Sequence, residues 1–116
     1  MAEFSTTIKE RGDISIINLK GFLDAHTAPT LETNFTQLIN DNKYKIVVNF
    51  EDLAYISSAG LGVFMAYIES IRDNKGDIKL TNMSDKVFNI FDLLGFPLLY
   101  EIYKNEEEAI NKFSGS

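Results

Sequence analysis

Residues 45–81 read KIVVNFEDLAYISSAGLGVFMAYIESIRDNKGDIKLT, and the hydrophobic period changes twice within them. Lys45 to Phe50 is a strand whose apolar centre implies burial on both faces. Ser57-Ser58-Ala59-Gly60 is a small, polar break. Leu61, Phe64, Met65, Ile68 and Ile71 then fall on one face of a helix, which Asn74-Lys75-Gly76 ends. Asp77 to Thr81 alternates as a short strand. Strand, helix and strand in this order form a right-handed crossover between parallel strands.

Reading outward, Phe4 to Glu10 is a strand, Gly12-Asp13 a turn, and Ile14 to Leu19 a second strand that Gly21 ends. The two strands are close enough to form a hairpin. Thr27 with Pro29 starts a helix whose apolar face is Leu31, Phe35, Leu38 and Ile39, and Asn40-Asp41-Asn42 stops it. Beyond the crossover, Ser84 caps a helix through Val87, Phe88 and Phe91, closed by Gly95 and Pro97. Leu98 to Tyr103 is a last short strand. Asn105 caps a final helix with Glu106, Glu107 and Glu108 in its first turn, where the helix dipole favours negative charge. Ser114-Gly115-Ser116 reads as a polar tail. The order ββαβαβαβα predicts a small α/β domain with a mixed, mostly parallel sheet.

Composition narrows the function. The 116 residues hold no cysteine and carry 11 Lys+Arg against 17 Asp+Glu, a net charge of −6. That length suits one domain over 1–116, with a core at about 4–113. Without cysteine there is no disulfide, thiolate metal site or thiol nucleophile. Scattered basic residues in an acidic chain argue against nucleic-acid binding, which needs clustered Lys and Arg at the phosphates. No apolar stretch suits a bilayer span, and Met1-Ala2-Glu3-Phe4-Ser5 lacks the order of a signal peptide. The expectation is a soluble, cytoplasmic chain. An acidic surface without a clear apolar patch favours a monomer between encounters.

In open α/β sheets, function gathers beyond the carboxyl ends of the strands. Two segments lie there: Gly21 to Thr27, and Ala54 to Gly62. The second places two hydroxyls at a helix start, followed by glycines that permit close backbone approach. Two roles fit Ser58. It can be a simple N-cap, worth about 0.5–2 kcal/mol over Ala, or it can carry a phosphate that the positive helix end favours.

Other chemistry is poorly supplied. Gly60-Leu61-Gly62 lacks the third glycine of a dinucleotide fingerprint and the lysine of a phosphate-binding loop. No nucleophile elbow surrounds Ser57 or Ser58, and His26, the single histidine, reads as a solvated loop residue. Asp24 with His26 offers too few ligands for a metal, and Glu51-Asp52 lacks a third carboxylate for magnesium. Asp24 reads as a loop or capping residue that shapes the surface beside Ser58. Glu69 and Arg72 read as an exposed helix pair. Phe35, Phe64, Phe88 and Phe91 read as core. A phosphorelay receiver needs an acidic pair after the first strand, which is missing here. A small hydrolase needs a positioned base, for which only His26 and loop carboxylates are available.

Gly21-Phe22-Leu23-Asp24 before the first helix, and Tyr55 to Val63 opening the second, resemble the STAS domain. They are more closely similar to bacterial anti-sigma factor antagonists of the SpoIIAA and RsbV kind. The likeness runs from about Phe4 to Phe113. The family pattern Asp-Ser-x-Gly-Leu-Gly falls on Ser57-Ser58-Ala59-Gly60-Leu61-Gly62, with Ser57 where many members have aspartate. The resemblance implies that Ser58 is the phosphoacceptor. It also implies that Asp24, His26, Ser57, Ser58, Gly60 and Leu61 meet the partner.

What the resemblance further implies is a partner that is an anti-sigma factor and also a serine kinase of the ATP-binding, histidine-kinase-like type, and the following switch. The unmodified protein sequesters it and frees a sigma factor, so transcription is regulated by partner switching. Phosphorylation of Ser58 causes release, and a PP2C-type phosphatase resets the system. The implied protein is a binding module and a kinase substrate, with no catalysis, cofactor or metal of its own. The alternative is a STAS scaffold or accessory subunit of a lipid-transport or signalling complex, without a phosphorylation switch.

Overall fold

The computed structural model describes residues 4–115. The elements are β1 (Ser5–Arg11), β2 (Ile14–Leu23), α1 (Ala28–Asn40), β3 (Lys45–Ile56), α2 (Ser58–Asp73) and β4 (Asp77–Thr81). They are followed by α3 (Asp85–Leu93), a 3-10 turn (Phe96–Leu98), β5 (Ile102–Tyr103) and α4 (Glu106–Gly115). The expected order ββαβαβαβα is observed. The strands line up as β1-β2-β3-β4-β5, the order in which the chain makes them. β1 and β2 are an antiparallel hairpin, and every later pairing is parallel.

Because each crossover moves one strand over with the same hand, α1, α2 and α3 share one face of the sheet. Ile17, Leu19 and Leu23 of β2 and Ile46, Val48 and Phe50 of β3 meet them in the main core. Ile14, Ile16 and Val47 point the other way and are covered by α4 through Ala109, with Ile110 and Phe113 at the rim. The five residues Ile46 to Phe50 are all buried, as the apolar centre of this strand requires.

Rings bind the helix side together. Phe64 of α2 lies 5.8 Å from Phe35 of α1, 5.7 Å from Phe50 of β3 and 6.3 Å from Phe91 of α3. Phe91 then reaches Phe96 at 5.0 Å, and Phe96 stacks on Tyr100 at 5.3 Å. Such pairs contribute about 0.5–1.5 kcal/mol each beyond the area they bury. One connected row of rings therefore joins three helices, the central strand and the 3-10 turn.

Several boundaries differ from the sequence reading, each for a physical reason. β2 runs through Gly21 to Leu23, and β3 continues past Phe50 to Ile56. The β2–β3 register shifts between Asn18 and Lys20 and again between Gly21 and Phe22, each time because β3 holds one extra residue. Two such bulges break strict alternation, so Leu53 and Ile56 reach the core at a spacing that looks like loop. The expected strand Leu98–Tyr103 shrinks to Ile102–Tyr103, because Phe96-Pro97-Leu98 coils into the 3-10 turn. Phe88 is exposed at 37% and is not core. Arg72 does not pair with Glu69. It bonds Asp77 Oδ1 at 2.9 Å and the Leu99 carbonyl instead. Of the tail, Ser114 and Gly115 belong to α4, and Ser116 lies outside the described residues. The surface also exposes Leu93, Leu94, Leu98 and Leu99, contrary to the expected absence of an apolar patch.

Under α4, the buried Lys79 of β4 bonds Glu101 at 2.7 Å and Asp77 at 3.2 Å, and its ammonium lies 4.7 Å from the Phe113 ring centre. The Lys79 hydrogen bond, reinforced by one from the Tyr103 hydroxyl, holds the Glu101 carboxyl below the usual carboxylate range. A carboxyl lowered on folding adds stability above its ordinary value, and loses it as pH falls through the lowered one. The urea midpoint should therefore drop more steeply, as pH falls below the ordinary carboxylate range, in the wild type than in Glu101→Gln. Parallel slopes would refute the assignment.

Gly76 makes the sharp return from α2 into β4. A Cβ there would lie 1.9 Å from the Tyr44 carbonyl oxygen, an atom that itself accepts the Asp77 amide at 2.9 Å. The obstruction is backbone and cannot rotate away. Gly76→Ala should lower stability by about 3 kcal/mol or more in chemical denaturation.

Candidate functional site

β2 and β3 end side by side, their last pairs being Phe22 with Tyr55 and Leu23 with Ile56. One further bond continues the ladder: the Ser57 amide donates to the Leu23 carbonyl at 2.9 Å. This ties the two segments that the sequence singles out, because Asp24 follows Leu23 and Ser58 follows Ser57. Both open helices on the same side of the sheet.

The first segment is organised by Asp24 and Thr27. Asp24 Oδ1 accepts from the amides of His26 at 2.9 Å and Thr27 at 3.2 Å, and the Asp24 carbonyl accepts from Ala28 at 2.8 Å. The Asp24 amide donates to Thr27 Oγ1 at 2.8 Å, whose hydroxyl donates in turn to the Phe22 carbonyl at 2.8 Å. Asp24 is half-buried and shapes the loop, in line with the reading of it as a loop residue. Thr27 takes the N-cap position of α1 without a capping hydrogen bond, because its hydroxyl serves the loop. His26 is exposed, and its engaged group is the backbone amide.

In the second segment the two serines divide the work. Ser57 is extended at φ −99° and ψ 174°, and its Oγ accepts the Gly60 amide at 3.4 Å. It is the N-cap. Ser58 is the first residue of α2 and is exposed. The first helical bond runs from the Leu61 amide to the Ser57 carbonyl at 3.0 Å. The amides of Ser58 and Ala59 precede it and have no partner within the helix, and this end of α2 is positive. A phosphate on Ser58 Oγ would sit where free N–H groups and the dipole favour it.

Gly60 and Leu61 act from inside. A Cβ on Gly60 would stand 2.7 Å from Leu23 Cγ, 3.0 Å from Ile56 Cγ1 and 3.1 Å from the Leu23 carbonyl oxygen. Gly60 is what allows α2 to rest on the strand ends. Leu61 is 4% exposed and joins the main core. Both residues set where Ser58 stands and present little surface. Gly62 differs, being exposed with nothing within 4 Å of its missing Cβ.

Phe22 and Tyr55 escaped the sequence reading, which placed them inside loops. They are a cross-strand pair, both exposed, with ring centres 5.8 Å apart. Leu23 and Ile56 beside them point into the helix-side core, so alternation turns this pair to the opposite face. Matched aromatics just before two helix starts were the signal that could have found them. Among the described residues no group of three or more His, Asp or Glu could hold a metal ion. No hydrogen bond there joins the Ser58 hydroxyl to a base.

The two glycines separate positioning from helix propensity. Gly60→Ala should destabilise by about 1–3 kcal/mol, since strand and helix must part. Gly62→Ala, in open helical surface, should stabilise by about 0.5–1 kcal/mol. Thermal melts of the two variants check both signs.

Residues 5–109 match the family model of the STAS domain. An anti-sigma-B factor antagonist of Staphylococcus aureus is 29% identical over 91 residues, spanning 78% of this chain and 84% of that protein. The unphosphorylated form of the anti-sigma factor antagonist SpoIIAA superposes with a TM-score of 0.84 at 24% identity, covering 97% of this chain and 98% of that one. The phosphorylated form of SpoIIAA from Bacillus gives a TM-score of 0.74 at 23% identity, over 94% and 99% of the two chains. With the strand order, the capped start of α2 and a family match over nearly its whole length, this chain belongs to the STAS domain family.

Proposed function

We propose that this chain is an anti-sigma factor antagonist that switches partners on phosphorylation of Ser58. The observation that carries the reading is the division of labour at α2: Ser57 caps the helix, so Ser58 is exposed and free of capping duty. The names of its relatives supply the partner class, an anti-sigma factor. In this reading the partner is also an ATP-dependent serine kinase of the histidine-kinase-like type. Ser58 Oγ attacks the γ-phosphorus of ATP, the bond to the bridging oxygen breaks, ADP leaves, and a base on the kinase takes the hydroxyl proton. A PP2C-type phosphatase hydrolyses the ester. In this reading the chain is a cytoplasmic binding module, as the partner class of its relatives' names implies. Among its described residues no helix is long and apolar enough to cross a membrane.

The switch is electrostatic. A phosphate adds roughly −1.5 to −2 charges. The start of α2 accommodates them, whereas a partner docked over Ser58 meets a doubly charged group that it must desolvate. Each factor of ten in affinity is about 1.4 kcal/mol, so a few kcal/mol suffice for release. The Ser57–Leu23 bond ties the acceptor's loop to the loop that carries Asp24 and His26.

Ser57 is the chain's departure from the family pattern. Aspartate and serine are comparable N-caps, so the change spares the helix but removes a negative charge beside the acceptor. Intact mass and phosphopeptide mapping of protein from its own cells should find one phosphate, on Ser58. Ser58→Ala should abolish it while still binding the partner. Ser57→Asp should speed incorporation and change stability by less than about 0.5 kcal/mol. Phosphate that persists in Ser58→Ala would overturn the assignment of Ser58, and its absence from the wild type under all growth conditions would favour a constitutive STAS scaffold.

A further inference from the structure

We propose that the turn joining α3 to the 3-10 turn is a self-association surface, through which two copies of this chain form a weak symmetric dimer. Gly95 reverses the chain there in the left-handed conformation, at φ 78°. Phe96 drops between Phe91 and Tyr100 as a buried pin. The Leu98 amide donates to the Gly95 carbonyl at 3.1 Å and the Leu99 amide to the Phe96 carbonyl at 2.8 Å, so the segment is fixed in place. The leucines on either side of the pin are held outward. Leu93 is 85% exposed, Leu94 59%, Leu98 90% and Leu99 48%.

Together they present on the order of 500 Å², high in the range of about 300–600 Å² for the largest apolar patch of a monomer. Residues 93–100 carry no charge in a chain whose net charge is −6. An uncharged segment is where two like-charged molecules can meet with least repulsion, and the two charges at its edge, Arg72 and Glu101, are already paired with Asp77 and Lys79. The same face also holds a receptor. Pro97 and Tyr100, which bracket Leu98 and Leu99, line a mainly apolar groove with Phe88 and Ile102, edged by Tyr103 and by Glu101, whose carboxylate is paired with Lys79. Protruding leucines beside a mainly apolar groove suit a two-fold contact, each copy supplying both parts.

Two such faces would bury about 1,000 Å² in total, near the lower bound of specific interfaces, as suits a weak, transient dimer. Arg72 in the last turn of α2 donates to the Leu99 carbonyl, so the patch lies at the end of α2 opposite Ser58. The 16 residues of α2 place the two about 24 Å apart. A dimer formed here leaves both Ser58 surfaces open.

Sedimentation equilibrium from about 5 to 500 μM covers the range in which a weak dimer of this size would form. The average mass of the wild type should climb from one chain toward two. Leu94→Asp combined with Leu98→Asp should remain one chain throughout with an unchanged circular dichroism spectrum, and Leu98→Met should still dimerise. Since the chain has no cysteine, Leu98→Cys gives an independent reading. It should oxidise to a covalent dimer about tenfold faster than Thr33→Cys on α1, because association raises the effective thiol concentration. A wild type that stays monomeric at 500 μM, a double-aspartate variant that still dimerises, or equal oxidation rates would each overturn the proposal. So would finding that the patch binds a different protein while the chain stays monomeric.

Discussion

The Ser57 amide gives its hydrogen to the Leu23 carbonyl, one rung beyond the last paired residues of β2 and β3. Much of the site's geometry depends on that rung. It fixes the start of α2 against the loop that opens α1, and it can form only if the helix comes close to the strand ends. Gly60 permits the approach, since any side chain there would meet Leu23 and Ile56. The exposed hydroxyl of Ser58 thus rests on a rigid support of backbone bond, missing Cβ and packed leucine.

Above that support, the core divides the molecule into parts with separate tasks. The ring row from Phe35 to Tyr100 locks α1, α2, α3 and the 3-10 turn to the central strand. On the other face a smaller contact made by α4 closes over Ile14, Ile16 and Val47, with the Lys79 ion pairs beside it. Since α2 is locked along its length, a charge added at its first residue is not absorbed by a shift of the helix. It is felt by whatever lies against the surface.

Much of this was legible in the sequence. Periodicity locates most of the elements, because core-facing residues recur at 2 or 3.6 where nothing interrupts them. It failed at β3, where two bulges insert unpaired residues and the pattern Glu51-Asp52-Leu53-Ala54-Tyr55-Ile56 loses its alternation. It failed again after α3, where apolar Leu98 and Leu99 read as buried strand although Gly95 and Pro97 shape them into an exposed turn. Hydrophobicity alone does not say which side of the surface a residue is on. At the site, two adjacent hydroxyls look equivalent in sequence. Only the backbone angles of Ser57 and its bond from Gly60 show which one caps the helix and which is left free.

The sheet is laid down in the order β1-β2-β3-β4-β5, each strand beside its predecessor. No strand waits for a later one to be inserted between it and its neighbour, so every closure spans at most one helix and two strands. Short closures keep the entropic barrier to each step low, and the β1–β2 hairpin can serve as the template on which the rest is added. As the chain leaves the ribosome from its amino end, each new strand finds its partner already made. The Ser58 surface is then complete soon after α2 emerges, and the later strands arrive on a finished edge.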